Sequence, residues 1–244
     1  MSEGATGIVV TGRETARGEA VADSLRARGA DAIFVAAELA EMGDVEGLIE
    51  ATDAHFGRLD VLVNAAAITW RGSITDTTQE LWDLIMGVNL RAPFFLIQGA
   101  VAIMRREGIE GSVINIGSVT AHGGAPVLAP YSISKGALNV LTKNVGYALS
   151  RDRIRVNALN LGWMDTPGED EIQRRFHDAQ DGWLEAAEAT MPFGRLLKPD
   201  EVAKAVTFLA SSDSGMMTGA IIDFDQSVVG AWPEAILSPS EVPE

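Results

Sequence analysis

Two rhythms of apolar residues run along the chain. Short apolar runs that close on glycine, serine or asparagine, such as GSVINIGS with Val113, Ile114 and Ile116, have the length and bounds of buried strands. Between them lie longer stretches whose apolar residues recur every three or four positions, as in YSISKGALNVLTKNVGYAL, and these predict helices. Strands are expected at 7–11, 32–37, 59–63, 112–117, 153–158 and 219–224. Helices are expected at 15–28, 43–56, 78–106, 131–150, 168–189 and 199–211. Regular alternation of this kind predicts an α/β fold, a doubly wound parallel sheet of about six strands with helices on both faces. No repeat, low-complexity tract or linker interrupts it, so 1–227 reads as one domain and 228–244 as a C-terminal tail whose Trp232, Ile236 and Leu237 could cap a neighbouring subunit.

Composition narrows the classes. A chain of 244 residues with 47% hydrophobic content can bury one large core. A net charge of −15 argues against nucleic acid or an anionic membrane as partner, leaving small molecules and further copies of the chain. The absence of cysteine excludes disulfides and thiolate chemistry. No bilayer-length apolar run and no signal-peptide pattern are visible, which makes the cytoplasm the expected compartment. His55, His122 and His177 have no acidic residue at ligand spacing, so no metal site is expected.

Chemistry concentrates around Tyr131 and Lys135. Four residues apart on one helix, they share a face, and Ser118 ends the strand before them. A phenol with a pKa of about 10 needs a nearby cation to work as an acid–base group at neutral pH, and Lys135 can supply it. Ser118 can then orient and polarise the oxygen that exchanges a proton with Tyr131. Read blandly, the three are a helix-start aromatic, a solvated lysine and a cap; their joint placement on strand, loop and helix favours the catalytic reading.

With these residues placed, the chain resembles the short-chain dehydrogenase/reductase family in the spacing Ser118-x12-Tyr131-x3-Lys135. Further likeness runs from Glu3 to about Asp225. RLDVLVNAAA resembles the family's fourth strand and NNAG segment, written here Asn64-Ala65-Ala66-Ala67. The segment GVNL supplies Asn89, matching the asparagine that in relatives holds a proton-relay water. NALNLGWMDTP resembles the PGxxxT stretch, keeping Gly162 and Thr166 but with Leu161 for proline. The resemblance implies a Rossmann-like fold, catalytic Asn89, Ser118, Tyr131 and Lys135, NAD or NADP as cofactor, and a homodimer or homotetramer formed through helices 78–106 and 131–150. Asn64, Ala65, Ala66, Tyr131, Lys135, Gly162 and Thr166 are implied to line the cofactor.

The amino terminus departs from the family. Thr11 to Gly18 has the outline of its glycine-rich TGxxxGxG turn, but Ala16 stands for the middle glycine and Arg17 follows it. A second alignment makes EGATGIVVTGRETARGEAVADSLRARGADAIFVAAEL the family's second strand, third helix and third strand, so that Arg13, after Gly12, is the residue that in relatives often faces a 2′-phosphate and Glu38, before Leu39, lies beside the adenine. Either way the chain is about one strand-helix unit short. A sheet does not keep unpaired amides in its interior, so strand 7–11 is expected to move to the centre, between 32–37 and 59–63. Glu38 would then meet the adenosine ribose and favour NAD, whereas the second alignment favours NADP through Arg13.

The implied activity is interconversion of an alcohol and a ketone with NAD(P). Trp163 and the polar segment 168–190, with Glu169, Asp170, Arg174, Arg175 and His177, fall where relatives carry a mobile substrate lid, although they also fit an ordinary charged helix face. His122, between Ser118 and Tyr131, is weighed as a substrate neighbour or a surface histidine. A polar lid on an acidic protein points to a neutral sugar or polyol more than to an anion. The alternative is a cofactor-free or non-catalytic member of the same fold, a dehalogenase-like lyase or a partner subunit, that has lost dinucleotide binding; Lys135 in place of the dehalogenase arginine stands against it.

Overall fold

A computed structural model describes residues 4–230. Strands β1 (Gly7–Gly12), β2 (Asp31–Ala36), β3 (Val61–Asn64), β4 (Ser112–Ser118), β5 (Arg155–Leu161) and β6 (Ile221–Phe224) alternate with helices α1 (Thr15–Ala27), α2 (Met42–Phe56), α3 (Gln79–Met86), α4 (Ala92–Glu107), α5 (Ala129–Ala148), α6 (Pro167–His177), α7 (Trp183–Glu188) and α8 (Pro199–Ala210). All ladders are parallel. The six expected strands are therefore present. The tail expected from Val228 lies, from residue 231 on, outside the described residues.

The strand order corrects one expectation. β1 pairs with β2 alone, and β3-β4-β5-β6 form a second sheet, so 7–11 does not sit between 32–37 and 59–63. Among the described residues, neither β1 nor β3 has a ladder partner on its outer side. Val61 and Val63 of β3 are each 40% exposed, whereas Val113 and Ile114 of β4 are fully buried. The reason is connectivity: the β2-α2-β3 connection carries the chain past the central position without filling it. This order matches the second alignment, in which β1 corresponds to the family's second strand.

Both sheets nevertheless rest on shared apolar packing. Val9 and Val35 from the first sheet and Leu62 from the second join one cluster with Val45 and Leu48 of α2, Ile85 of α3 and Leu96 of α4. Ala100, Met104 and Leu149 cover Val113 and Val156 next to it. Alternation sends Ile114 and Leu159 to the opposite face, under Val202 and Leu209 of α8. On that same side α1 approaches β2 so closely that a Cβ on Gly18 would overlap the Phe34 ring. Gly18 thus serves helix–strand packing rather than a phosphate turn.

Two expected helices are interrupted. The rod 78–106 contains a π turn, Gly87–Arg91, between α3 and α4. By length and composition Gln79–Glu107 could cross a membrane, at mean hydropathy 1.4, but 56% of that apolar window is buried inside the protein. This qualifies the reading that no run reaches bilayer length; the rod is core. The stretch 168–189 splits into α6 and α7 because Asp178 (φ 50°) and Gly182 (φ 89°) take left-handed conformations.

Candidate active site

Ser118, Tyr131 and Lys135 come together where β4 ends and α5 begins. Pro130 in the first turn of α5 fixes the entry, and a 3-10 turn, Val119–His122, leads away from the strand. Ser118 is buried and its hydroxyl accepts from the Thr120 amide (3.2 Å) and the Thr120 hydroxyl (2.9 Å). Lys135 is 2% exposed; its ammonium donates to the Ile116 carbonyl at 2.7 Å and lies 5.7 Å from the centre of the Tyr131 ring. Burial pushes Lys135 down to about 8. Tyr131 is pushed above its ordinary value by burial, with the Ser118 hydroxyl pulling the other way, Glu169 adding to the rise and Arg71 opposing it. The sequence reading gave Lys135 the part of the lowering cation; here its ammonium is drawn to the Ile116 carbonyl and Arg71 supplies the lowering charge.

Asn89 sits inside the π turn and is 1% exposed. Its Oδ1 accepts from the Ile68 amide (2.8 Å), and its Nδ2 donates to the Ile68 carbonyl (3.0 Å) and the Ser134 hydroxyl (3.1 Å). Ser134 in turn donates to the Tyr131 carbonyl at 2.7 Å. Asn89 therefore ties the loop after β3 to the start of α5. A π turn inside an α-helix is a frequent mark of a functional position. Nothing in the spacing of the sequence singled out Ser134, although it lies on the helical face of Tyr131 and Lys135.

The expected cofactor residues fall into two groups. At the β1 end, Gly12 has open space around it, and Arg13 reaches Glu38 at 3.8 Å, with both side chains exposed. Leu39 is buried in the core cluster beside them. At the β3 end, Asn64 is buried; its Nδ2 donates to Asn115 Oδ1 at 2.8 Å, and its own Oδ1 has no partner. Asn115 passes the chain on to the Thr142 hydroxyl at 2.9 Å, a buried polar line the sequence reading missed. Ala65 and Ala66 next to Asn64 are exposed, and their small side chains leave backbone accessible.

Gly162 and Thr166 have structural partners. A Cβ on Gly162 would overlap the Asp225 carboxylate, and its amide donates to the Phe224 carbonyl (3.3 Å). The Thr166 hydroxyl caps α6 by accepting from the Glu169 amide (3.1 Å). His122 pairs with Asp223 at 2.9 Å rather than pointing to Tyr131.

The residues at these two strand ends are compatible with a dinucleotide. The orphaned Asn64 oxygen, the accessible backbone at Ala65 and Ala66, and the Arg13 side chain beside open Gly12 suit ribose and phosphate groups. Between β1 and β3 no glycine-rich turn is found among the described residues, because the Thr11–Gly18 outline is spent on the end of β1 and the first turns of α1.

Helix α6 carries the polar residues expected of segment 168–190. Glu169 Oε1 accepts from Trp163 Nε1 (2.9 Å) and Gln173 Nε2 (2.7 Å). Asp170 binds Arg174 (2.9 Å) and Trp183 (2.7 Å), and the Arg175 guanidinium lies 4.5 Å from the centre of the Trp70 ring. Arg71, unmarked in the sequence reading, donates to His177 Nε2 at 2.9 Å. Helix α6 thus meets the loop after β3 at two points.

Comparison with known proteins finds relatives along most of the chain. A family model described as enoyl-(acyl carrier protein) reductase matches residues 1–227. The chain is 33% identical over 229 residues to an NADP-dependent (R)-specific alcohol dehydrogenase of Lentilactobacillus kefiri, covering 90% of this chain and 85% of that one. It is 34% identical over 185 residues to a 3-oxoacyl-(acyl-carrier-protein) reductase of Thermotoga maritima, covering 76% and 72%. A gluconate 5-dehydrogenase from Burkholderia cenocepacia, solved in complex with NADP and tartrate, superposes with a TM-score of 0.81 at 30% identity, covering 92% of this chain and 86% of that one.

Proposed function

The chain belongs to the short-chain dehydrogenase/reductase family and is an NAD(P)-dependent oxidoreductase of alcohols and ketones, and from that premise we propose that Tyr131 is its acid–base group. When bound, the nicotinamide supplies or accepts the hydride. In the direction of reduction, the Tyr131 phenol gives its proton to the carbonyl oxygen as the carbon becomes an alcohol; in oxidation the phenolate takes that proton back. Ser118 donates its hydroxyl to the same oxygen and fixes it beside the phenol. Lys135 holds a positive charge 5.7 Å from the ring and is the group that would bind the nicotinamide ribose. Asn89 acts through Ser134, holding the backbone of Tyr131 in place.

The observation that carries this reading is the convergence of Ser118, Tyr131 and Lys135 at one strand end, with Lys135 brought to about 8 by burial. Arg13, exposed at the end of β1, supports NADP as the preferred cofactor. The substrate class in this proposal is a small polyhydroxylated molecule, a sugar, polyol or sugar acid, supported by the polar segment 168–190 and by the likeness to a gluconate 5-dehydrogenase. Homo-oligomer formation is supported by the exposed Phe94, Phe95, Val140 and Tyr147 on α4 and α5. The cytoplasm, where nicotinamide cofactors are plentiful, completes the proposal.

Titrating the purified protein with NADPH and NADH while following nicotinamide fluorescence tests it. Micromolar binding with NADPH tighter than NADH is expected; silence with both would favour a cofactor-free relative.

A further inference from the structure

Arg71 stands beside the acid–base centre with no carboxylate of its own. The residue after it is clipped to the start of α5: the Gly72 amide donates to the Val127 carbonyl and the Gly72 carbonyl accepts from the Ala129 amide, both at 2.9 Å. Arg71 is thereby held close to Tyr131, two positions beyond Ala129. Its Nε donates to His177 Nε2 and its Nη1 to the Thr69 carbonyl, both at 2.9 Å, so a ring nitrogen and a backbone carbonyl fix the guanidinium. Among the described residues no acidic group lies within ion-pair distance of it, whereas Arg58, Arg105 and Arg195 each hold one and Arg106 and Arg174 two. Partial burial pulls Arg71 below its ordinary value, and the charges that offset this are Glu169 and Tyr131. A partly dehydrated guanidinium with spare donors is matched to a planar anion.

Glu169 provides the complement. Trp163 and Gln173 fix one of its oxygens, and it acts electrostatically on both Arg71 and Tyr131 without touching Arg71. Each charge is secured by its own hydrogen bonds, so the two are kept from collapsing into a salt bridge. A fixed cation and a fixed carboxylate that both act on the catalytic phenol suit a ligand carrying both an anionic end and hydroxyl donors.

We propose that Arg71 determines substrate class by binding the carboxylate of a hydroxy or oxo acid, while Glu169 accepts a hydroxyl from the same molecule. The proposal rests on the reading of Tyr131 as acid–base group and departs from the neutral substrate expected from net charge. A charge of −15 sets the distant field; inside the cleft the nearer Arg71 dominates.

Short hydroxy acids (glycerate, threonate, gluconate), each paired with its neutral polyol (glycerol, threitol, glucitol), are to be oxidised with NADP and NAD. Their binding is to be measured separately by calorimetry. At least one acid is expected to exceed its polyol in kcat/KM by about 100-fold, the worth of a charge-assisted bidentate bond. Arg71→Ala should erase that preference mainly through KM, and Arg71→Lys should restore part of it, with thermal melting confirming that both variants fold. Tyr131→Phe should bind the acid as the wild type does without turning it over. A preference that survives Arg71→Ala, no acid preferred over its polyol, or no Arg71-dependent acid binding overturns the proposal. An active Tyr131→Phe that still needs Arg71 to bind acids would instead overturn the catalytic reading and leave the Arg71 assignment standing.

Discussion

Replacing Lys135 by Met removes a buried ammonium while keeping a long unbranched side chain, and the size of the effect follows from the environment. Burial takes Lys135 from 10.5 to about 8. A shift of that size corresponds to about 3 kcal/mol of preference for the neutral form. The folded pKa lies below the unfolded one, so the unfolded chain binds the proton more tightly. The penalty is complete below pH 8 and fades as pH rises from 8 towards 10.5, where both states lose the charge. About 2 kcal/mol of it is relieved by pH 9.5. Against the gain stands the lost bond from Nζ to the Ile116 carbonyl, worth about 1–2 kcal/mol. Lys135→Met should therefore be about 1–2 kcal/mol more stable than the wild type at pH 7, and this advantage should vanish by pH 9.5 while activity is lost throughout. Urea melts of both proteins at the two pH values measure it. An equal stability difference at both would mean that Lys135 is not held as a destabilised cation, and the catalytic role assigned to it would lose its physical basis.

Three further outcomes are expected. Arg13→Ala should weaken NADPH binding by about 10-fold, the loss of one exposed phosphate contact, with little change for NADH, measured by nicotinamide fluorescence. Asn89→Ala strips the Ile68 amide and carbonyl and the Ser134 hydroxyl of a buried partner, so urea melts should show a loss of about 2–4 kcal/mol and kcat should fall with it. Amide hydrogen exchange should be faster on the outer sides of β1 and β3, which lack ladder partners among the described residues, than in β4, which is paired on both sides.

Much of the architecture was legible because its causes are local. Apolar runs ending in small polar residues marked all six strands, and the three-four rhythm marked the helices to within a few residues. The break at Asp178 and Gly182 was missed because it depends on two left-handed backbones within a helix-compatible run. The split between β1 and β3 was missed for a different reason. The expectation followed the rule that interior amides must pair, but pairing also needs a connection that delivers the strand, and the α2 crossover delivers 61–64 elsewhere. At the site, Tyr131, Lys135 and Ser118 were visible through their spacing together with their placement at a strand end and a helix start. Ser134 and Asn115 act through contacts between distant segments, and Arg71 stood in a loop with no motif around it. Its partner His177 lies far along the chain, a pairing that only the fold discloses.

The central claim is that Tyr131 handles the proton during nicotinamide-dependent alcohol–ketone exchange. Single-turnover absorbance of bound NADPH with an accepted ketone, compared between wild type and Tyr131→Phe, tests it most directly. The account predicts equal cofactor binding and a rate at least about 1,000-fold lower in the variant; a Phe variant that oxidises NADPH within tenfold of the wild type would contradict it.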